Sequence, residues 1–233
     1  MSAHLHHARE IGTLMCQATR EILWQPAEDW VRGRSGAVRL VCRVGAGQAT
    51  YHRFDSARRV HLINYGARMI AAKQAAESAE GWLSTREIRQ RGYFEGEVSP
   101  LNLLAHTCCH EFAHLLQQSA GQRHYGSVHN RHFYRILDQL YDSGGAEATR
   151  TWLEGRAATL NVNLSARKFE LPDPQAQAMH WQPGEAVCFG EGRGQRQGLI
   201  RRVNRKTCTV DATGKYRGTR YRVPFALLRR LAD

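Results

Sequence analysis

The chain has 233 residues, enough for one large or two small domains with their own cores, and carries 33 Lys and Arg against 21 Asp and Glu, a formal net charge of +12. No stretch of about 18 apolar residues occurs, which excludes a membrane-spanning helix. From Ser165 onward there are 14 basic and 6 acidic residues, a density that suits a phosphate backbone or an anionic surface as well as plain solvation.

Six cysteines (Cys16, Cys42, Cys108, Cys109, Cys188 and Cys208) form no C-x-x-C pair, so neither a cysteine zinc ribbon nor a disulfide framework is expected. The N-terminal residues lack the apolar core of a signal peptide, and His4, His6 and His7 read as solvated. A reduced, cytoplasmic setting is the default expectation.

Residues 5–24 carry apolar side chains at helical spacing and predict a first amphipathic helix. A β-pattern follows in three short runs, 37–44, 48–54 and 59–64, with turns at Gly45–Gly47 and Asp55-Ser56. They predict a small antiparallel sheet beside the helices. Residues 66–79 are alanine-rich and helical, and Ser84-Thr-Arg-Glu87 has the form of a capping box opening another helix. Residues 92–99 read as a loop, in which Tyr93 and Phe94 are assigned to packing rather than to a substrate groove.

Ser99 as N-cap and Pro100 at the first helical position open a helix whose apolar residues Leu101, Leu104, Cys108, Phe112 and Leu115 recur at steps of three and four; Gly121 stops it. Adjacent Cys108 and Cys109 on this helix read as core filling. The helix carries His110-Glu111-Phe112-Ala113-His114. Spacing of four places both imidazoles on one face, one turn apart, where they can share a metal ion; Glu111 then projects beside the metal as a general base. His106, one turn earlier, reads as a buried, hydrogen-bonded residue. A catalytic metal wants a third protein ligand, and His124, His129 and His132 all lie at the head of the next helix, which runs through Phe133, Ile136, Leu137, Leu140 and Tyr141. Spacing leaves the choice among the three open. Gly144-Gly145 precede a last helix at 146–160.

His110-Glu-Phe-Ala-His114 followed by His129-Asn-Arg-His-Phe133 resembles the SprT-like (Spartan-related) zinc metallopeptidases, over roughly residues 5–164. The resemblance implies a zincin-like helical domain, zinc on His110, His114 and His129, Glu111 as the base, Phe133 in the core, and a sheet bordering the cleft that holds extended substrate. Two positions depart from the family pattern. Asn130 stands where Gly is usual, with a left-handed backbone tolerable to Asn, and His132 stands where an acidic residue is common.

Residues 165–182, with Pro172 and Pro174, read as a linker. Beyond it four short strands, at 185–189, 198–203, 207–211 and 219–223, predict a small all-β barrel that resembles SH3-like modules of the KOW or Tudor sort. Its arginines alternate with apolar residues. Arg201, Arg202, Arg205, Lys206, Arg217, Arg220 and Arg222 are the candidate nucleic-acid contacts, with an aromatic, Tyr221, expected nearby.

The expectation is therefore an α+β chain: a zincin-like metallopeptidase domain (1–164), a linker (165–182) and a basic SH3-like barrel (183–233). It would use Zn2+ to hydrolyse proteins bound or crosslinked to DNA, single-stranded or damaged. Two other readings are a regulatory zinc peptidase that cuts one dedicated partner, and a non-catalytic zinc-stabilised nucleic-acid-binding protein. The latter has no use for Glu111.

Overall fold

The computed structural model describes residues 3–79, 81–124, 126–170, 178–190 and 194–231. Helix and sheet are mixed, and the chain divides into two compact units, Met1–Glu170 and Leu171–Asp233. No helix among the described residues is long and apolar enough to cross a membrane.

In the first unit, α1 (Ala3–Ala18) buries Ala8, Ile11, Leu14, Met15 and Ala18 along one stripe. The chain continues through a π-helical turn (Thr19–Trp24) into α2 (Gln25–Ser35), which ends at Gly36 with φ of +67°. Helix α2 was not expected from the sequence. Only Val31 of it is buried, so no apolar stripe marks it.

The sheet corrects an expectation. Strands β1 (Arg39–Gly45), β2 (Tyr51–Asp55) and β3 (Val60–Gly66) lie in the order β1-β3-β2; β1 runs parallel to β3, and only β2 is antiparallel to it. The sheet is mixed rather than antiparallel because β3 is the strand buried along almost its whole length and takes the centre. The segment after β1 crosses over instead of closing a hairpin. It presses on Gly66, where a Cβ would meet the Gly47 carbonyl oxygen at 2.5 Å. Edge strand β2 borders the cleft described below with Tyr51 and His52.

The single helix expected at 66–79 is two pieces, α3 (Ala67–Ala72) and α4 (Ala76–Ala79). Helix α5 (Leu83–Arg91) has Trp82 at its N-cap and no side-chain cap, so the capping box is not formed. Ser84 and Glu87 lie within the helix and are both buried. Tyr93 packs instead of lining a groove, stacked on Tyr141 at 3.8 Å between ring centroids, and its hydroxyl donates to Asp138 at 2.5 Å.

Helix α6 (Pro100–Ser119) is the central element of this unit and is buried on nearly every side, including Cys108 and Cys109. Ser99 caps it, its Oγ accepting from the Asn102 amide at 3.1 Å. Helices α7 (Arg131–Asp142) and α8 (Gly145–Thr159) pack against it. Beyond α8 the chain stays attached: the Leu101 amide donates to Ser165 O at 3.0 Å and the Phe169 amide to Val98 O at 2.8 Å. Residues 165–170 thus belong with the first unit and not to a linker. Of the remaining linker expectation, 171–177 lie outside the described residues.

The second unit is a five-stranded antiparallel sheet of β4 (Ala186–Phe189), β5 (Arg196–Val203), β6 (Thr207–Ala212), β7 (Arg220–Pro224) and β8 (Arg229–Arg230), in the order β7-β6-β5-β4-β8. One apolar cluster supports it: Val187, Phe189, Ile200, Cys208, Val210, Val223, Phe225 and Leu228. Strand β8 was not among the expected four; two arginines carry no apolar alternation to reveal it.

Candidate metal centre

Helix α6 presents His110 and His114 one turn apart, and the loop before α7 brings His129 between them. His129 Nε2 lies 3.1 Å from His110 Nε2 and 3.1 Å from His114 Nε2. The protons explain what this convergence can hold. Glu87 Oε2 accepts from His110 Nδ1 at 3.0 Å, and Gln117 Oε1 lies 3.4 Å from His114 Nδ1. With their Nδ1–H groups so committed, both Nε2 atoms present bare lone pairs to the same point. His129 can supply one proton at most, so at least one close pair of nitrogens has no hydrogen between them. A cation satisfies all three. Three neutral imidazoles are also the donor set that borderline divalent metals take. Burial holds His114 down to about 3 and lowers His129, which keeps both rings in the neutral, ligating form.

Each of the three imidazoles is held from behind. Gln117, fully buried, reaches from His114 to the loop carrying His129, donating to Val128 O at 3.0 Å and to Asn130 Oδ1 at 3.2 Å. Asn130 does not use a left-handed backbone. Its φ is −86°, and it serves as N-cap of α7, Oδ1 accepting from the amides of His132 (2.9 Å) and Phe133 (3.1 Å). Asn thus does here what Gly cannot, and the capped helix start fixes where His129 points. Phe133 is buried behind the three rings, stacked on His114 at 4.3 Å. His124 is exposed and bridges to Ser127, and the His132 ring turns toward Arg131; neither joins the donor group.

Glu87, His106 and His110 form a second cluster around one carboxylate oxygen. His106 Nε2 donates to Glu87 Oε2 at 2.8 Å, and His106 Nδ1 accepts from the Tyr141 hydroxyl at 2.7 Å. Burial pushes the Glu87 carboxyl up, but the hydrogen bonds from His106 and His110 outweigh it and hold it below the ordinary carboxylate range. Burial lowers His106 to about 4, so the ring is neutral and the chain Tyr141–His106–Glu87–His110 has one consistent set of donors.

The histidines floor a cleft of about 520 Å³ walled by residues 48–52 of the β2 edge, by Met69, Lys73, Trp82, Leu83 and Ser84, and by Arg123. Glu111 faces this cleft. It is buried, its Oε2 has no partner, and burial raises its pKa against the opposing charges of Lys73 and Arg123. A carboxylate so placed is a poised proton acceptor. On the β2 side, Arg123 Nη1 donates to His52 Nδ1 at 2.8 Å. Arginine cannot accept, so His52 Nε2 carries the proton and donates to His61 Nδ1 at 3.0 Å. Sequence reasoning missed Glu87, Gln117, Lys73 and Arg123. Gln117, three residues after His114 on the same helix face, was the one with a readable signal.

In the second unit the candidate cations fall into two groups. Asp211 binds Arg220 at 2.8 Å and Arg201 at 3.4 Å, so these two are partly neutralised. A β-bulge between Ile200 and Arg202 turns Arg202 outward as well; register then sets Arg202, Thr209 and Arg222 side by side on one exposed face. Arg205 and Lys206 occupy the adjoining turn, and Arg217 an exposed turn before β7. Among the described residues, no carboxylate lies within 4.0 Å of Arg202, Arg205, Lys206, Arg217 or Arg222. Tyr221 is not on this face. It packs inward on Phe189 at 5.3 Å, its hydroxyl accepting from Arg196. Comparison of the chain with protein-family models, with curated proteins and with solved structures gives no match.

Proposed function

We propose that the chain is a zinc-dependent endopeptidase acting on proteins associated with or crosslinked to DNA. The observation that carries the catalytic part is the convergence of three imidazole Nε2 atoms beside a buried carboxylate with a free oxygen, in one cleft. His110, His114 and His129 would hold the ion; structural zinc sites are closed by four protein ligands, whereas three leave a position open. Zinc so held supplies Lewis acidity toward water and a peptide carbonyl. Glu111 Oε2 takes a proton from the attacking water and returns it to the departing amine. Gln117, Glu87 and Asn130 keep the histidines aimed, and Phe133 excludes water behind them. In support of an extended peptide substrate, the cleft is bordered by β2, the edge strand of its sheet.

The test is cleavage of an unfolded protein such as reduced casein by the zinc-loaded full chain. Products are expected to appear, to stop on chelation and to resume when zinc is restored. Absence of products from a chain carrying one zinc would overturn the peptidase reading and leave the non-catalytic one.

The DNA part rests on charge and position in the second unit, read as a small SH3-like barrel. With Tyr221 packed inward on Phe189, contact would be made to the phosphate backbone rather than by base stacking on that ring. Phosphate contacts release counterions, so DNA affinity is expected to fall with salt at a log–log slope of about 0.7 to 0.9 per contact. Deleting 171–233 should lower both affinity and slope while metal stays with the remainder. Equal slopes for the full chain and the truncation would assign DNA contact to the first unit.

A further inference from the structure

The cleft wall contains a cation that the hydrolytic scheme does not use. Lys73, at the end of α3, is only 4 % exposed. Its Nζ donates to Thr107 Oγ1 at 2.6 Å, and Thr107 passes its own hydrogen to Leu103 O at 2.6 Å. An ammonium has three hydrogens, and this is its one hydrogen bond among the described residues. No ion pair joins it to a carboxylate within 4.0 Å among the described residues: Glu87 Oε2 is taken by His106 and His110, Glu87 Oε1 is buried without a partner, and Glu111 lies one helical turn along α6 from Thr107. The Trp82 ring lies 5.4 Å from Nζ. Ser84, two residues on and lining the same cleft, has a buried Oγ with no partner.

A buried ammonium with spare donors and a buried hydroxyl with none satisfied are costly unless something accepts from them. Both open on the cleft that holds the candidate metal centre, beside the apolar surfaces of Met69, Trp82 and Leu83. We infer that Lys73 and Ser84 form a specificity pocket for a carboxylate of the peptide, an Asp or Glu side chain, held while the neighbouring bond lies over the metal centre. The inference rests on the peptidase reading for its substrate, but not for its chemistry. Carboxylate oxygens accept what Lys73 and Ser84 leave undonated, and the methylenes of Glu cover the Trp82 side. An amide in the same place offers one acceptor, no charge, and an NH2 facing an ammonium.

The experiment uses the zinc-loaded full chain with Glu111→Gln, so that binding is read without turnover. Fluorescent peptide libraries, amidated at the C-terminus, carry Glu or Gln at one fixed position at a time. Anisotropy should show Glu favoured over Gln by about tenfold or more at one position. Lys73→Met should bring that ratio to about one, Lys73→Arg should retain part of it, and Ser84→Ala should reduce it several-fold. Zinc content measured on each variant shows that the site survives. If Lys73→Met fails to fold, the Ser84→Ala and Lys73→Arg ratios still decide the matter. A parallel set ending in a free carboxylate distinguishes the sources: preference there alone would place the chain terminus, and not a side chain, in the pocket. Equal binding of all pairs, or a preference that survives Lys73→Met, would overturn the pocket. Cleavage by the wild-type chain, run alongside, separates the two proposals. Cleavage without preference removes the pocket alone, Lys73-dependent preference without cleavage removes the peptidase reading alone, and the absence of both cleavage and peptide binding removes both.

Discussion

Glu111→Gln is expected to lower peptide hydrolysis by about a hundred- to ten-thousand-fold while the chain keeps its metal and its fold, because a carboxamide of the same shape cannot accept the water's proton. The substitution is well conditioned here. Glu111 Oε2 has no protein partner to lose, and removing a buried charge does not leave a salt bridge half-made. Any stability change should therefore be small, and a gain is compatible with the raised pKa of the native carboxyl. Hydrolysis rates, zinc content and urea midpoints of the two proteins provide the comparison. Undiminished hydrolysis by Glu111→Gln would remove the general-base role altogether.

The second large effect falls on a residue outside the metal set. Glu87→Leu should weaken zinc binding by about ten- to a hundredfold, since His110 loses the carboxylate that orients its ring. It should also cost stability. His106, fully buried, is left with an unpaired Nε2–H, a penalty of about 1–3 kcal/mol. Glu87→Gln keeps an acceptor without the charge and should fall between. Competition against a zinc chelator measures the first effect and denaturant unfolding the second. Zinc affinity indifferent to Glu87→Leu would show that the histidines are held by packing on Phe133 and by Gln117 alone.

How legible this was in the sequence differs from residue to residue, for physical reasons. His110, Glu111 and His114 follow from one helical period, because the helix that carries them has apolar residues at steps of three and four and is bounded at both ends by readable residues. His129 did not follow from spacing, since a loop can aim any of three histidines; the choice came from resemblance, and the structure brings that same residue to the other two. Glu87 was misread because a Ser-x-x-Glu pattern is satisfied equally by a cap and by two buried helix residues. Only tertiary packing separates them. The mixed sheet was missed because period-two alternation reports which residues face the core, not which strand sits between which neighbours. Lys73 is opaque for a related reason: nothing local distinguishes a lysine that snorkels to solvent from one that ends against Thr107.

X-ray absorption at the zinc edge of the full chain, purified without added chelator and loaded with one equivalent of zinc, tests the central claim most directly. The expected first coordination sphere is three imidazole nitrogens at about 2.0–2.1 Å and one oxygen, with the imidazole pattern reduced to two in His129→Ala. A zinc–sulfur distance of about 2.3 Å, four protein nitrogens with no open position, or a spectrum unchanged by His129→Ala would contradict a catalytic centre built from His110, His114 and His129.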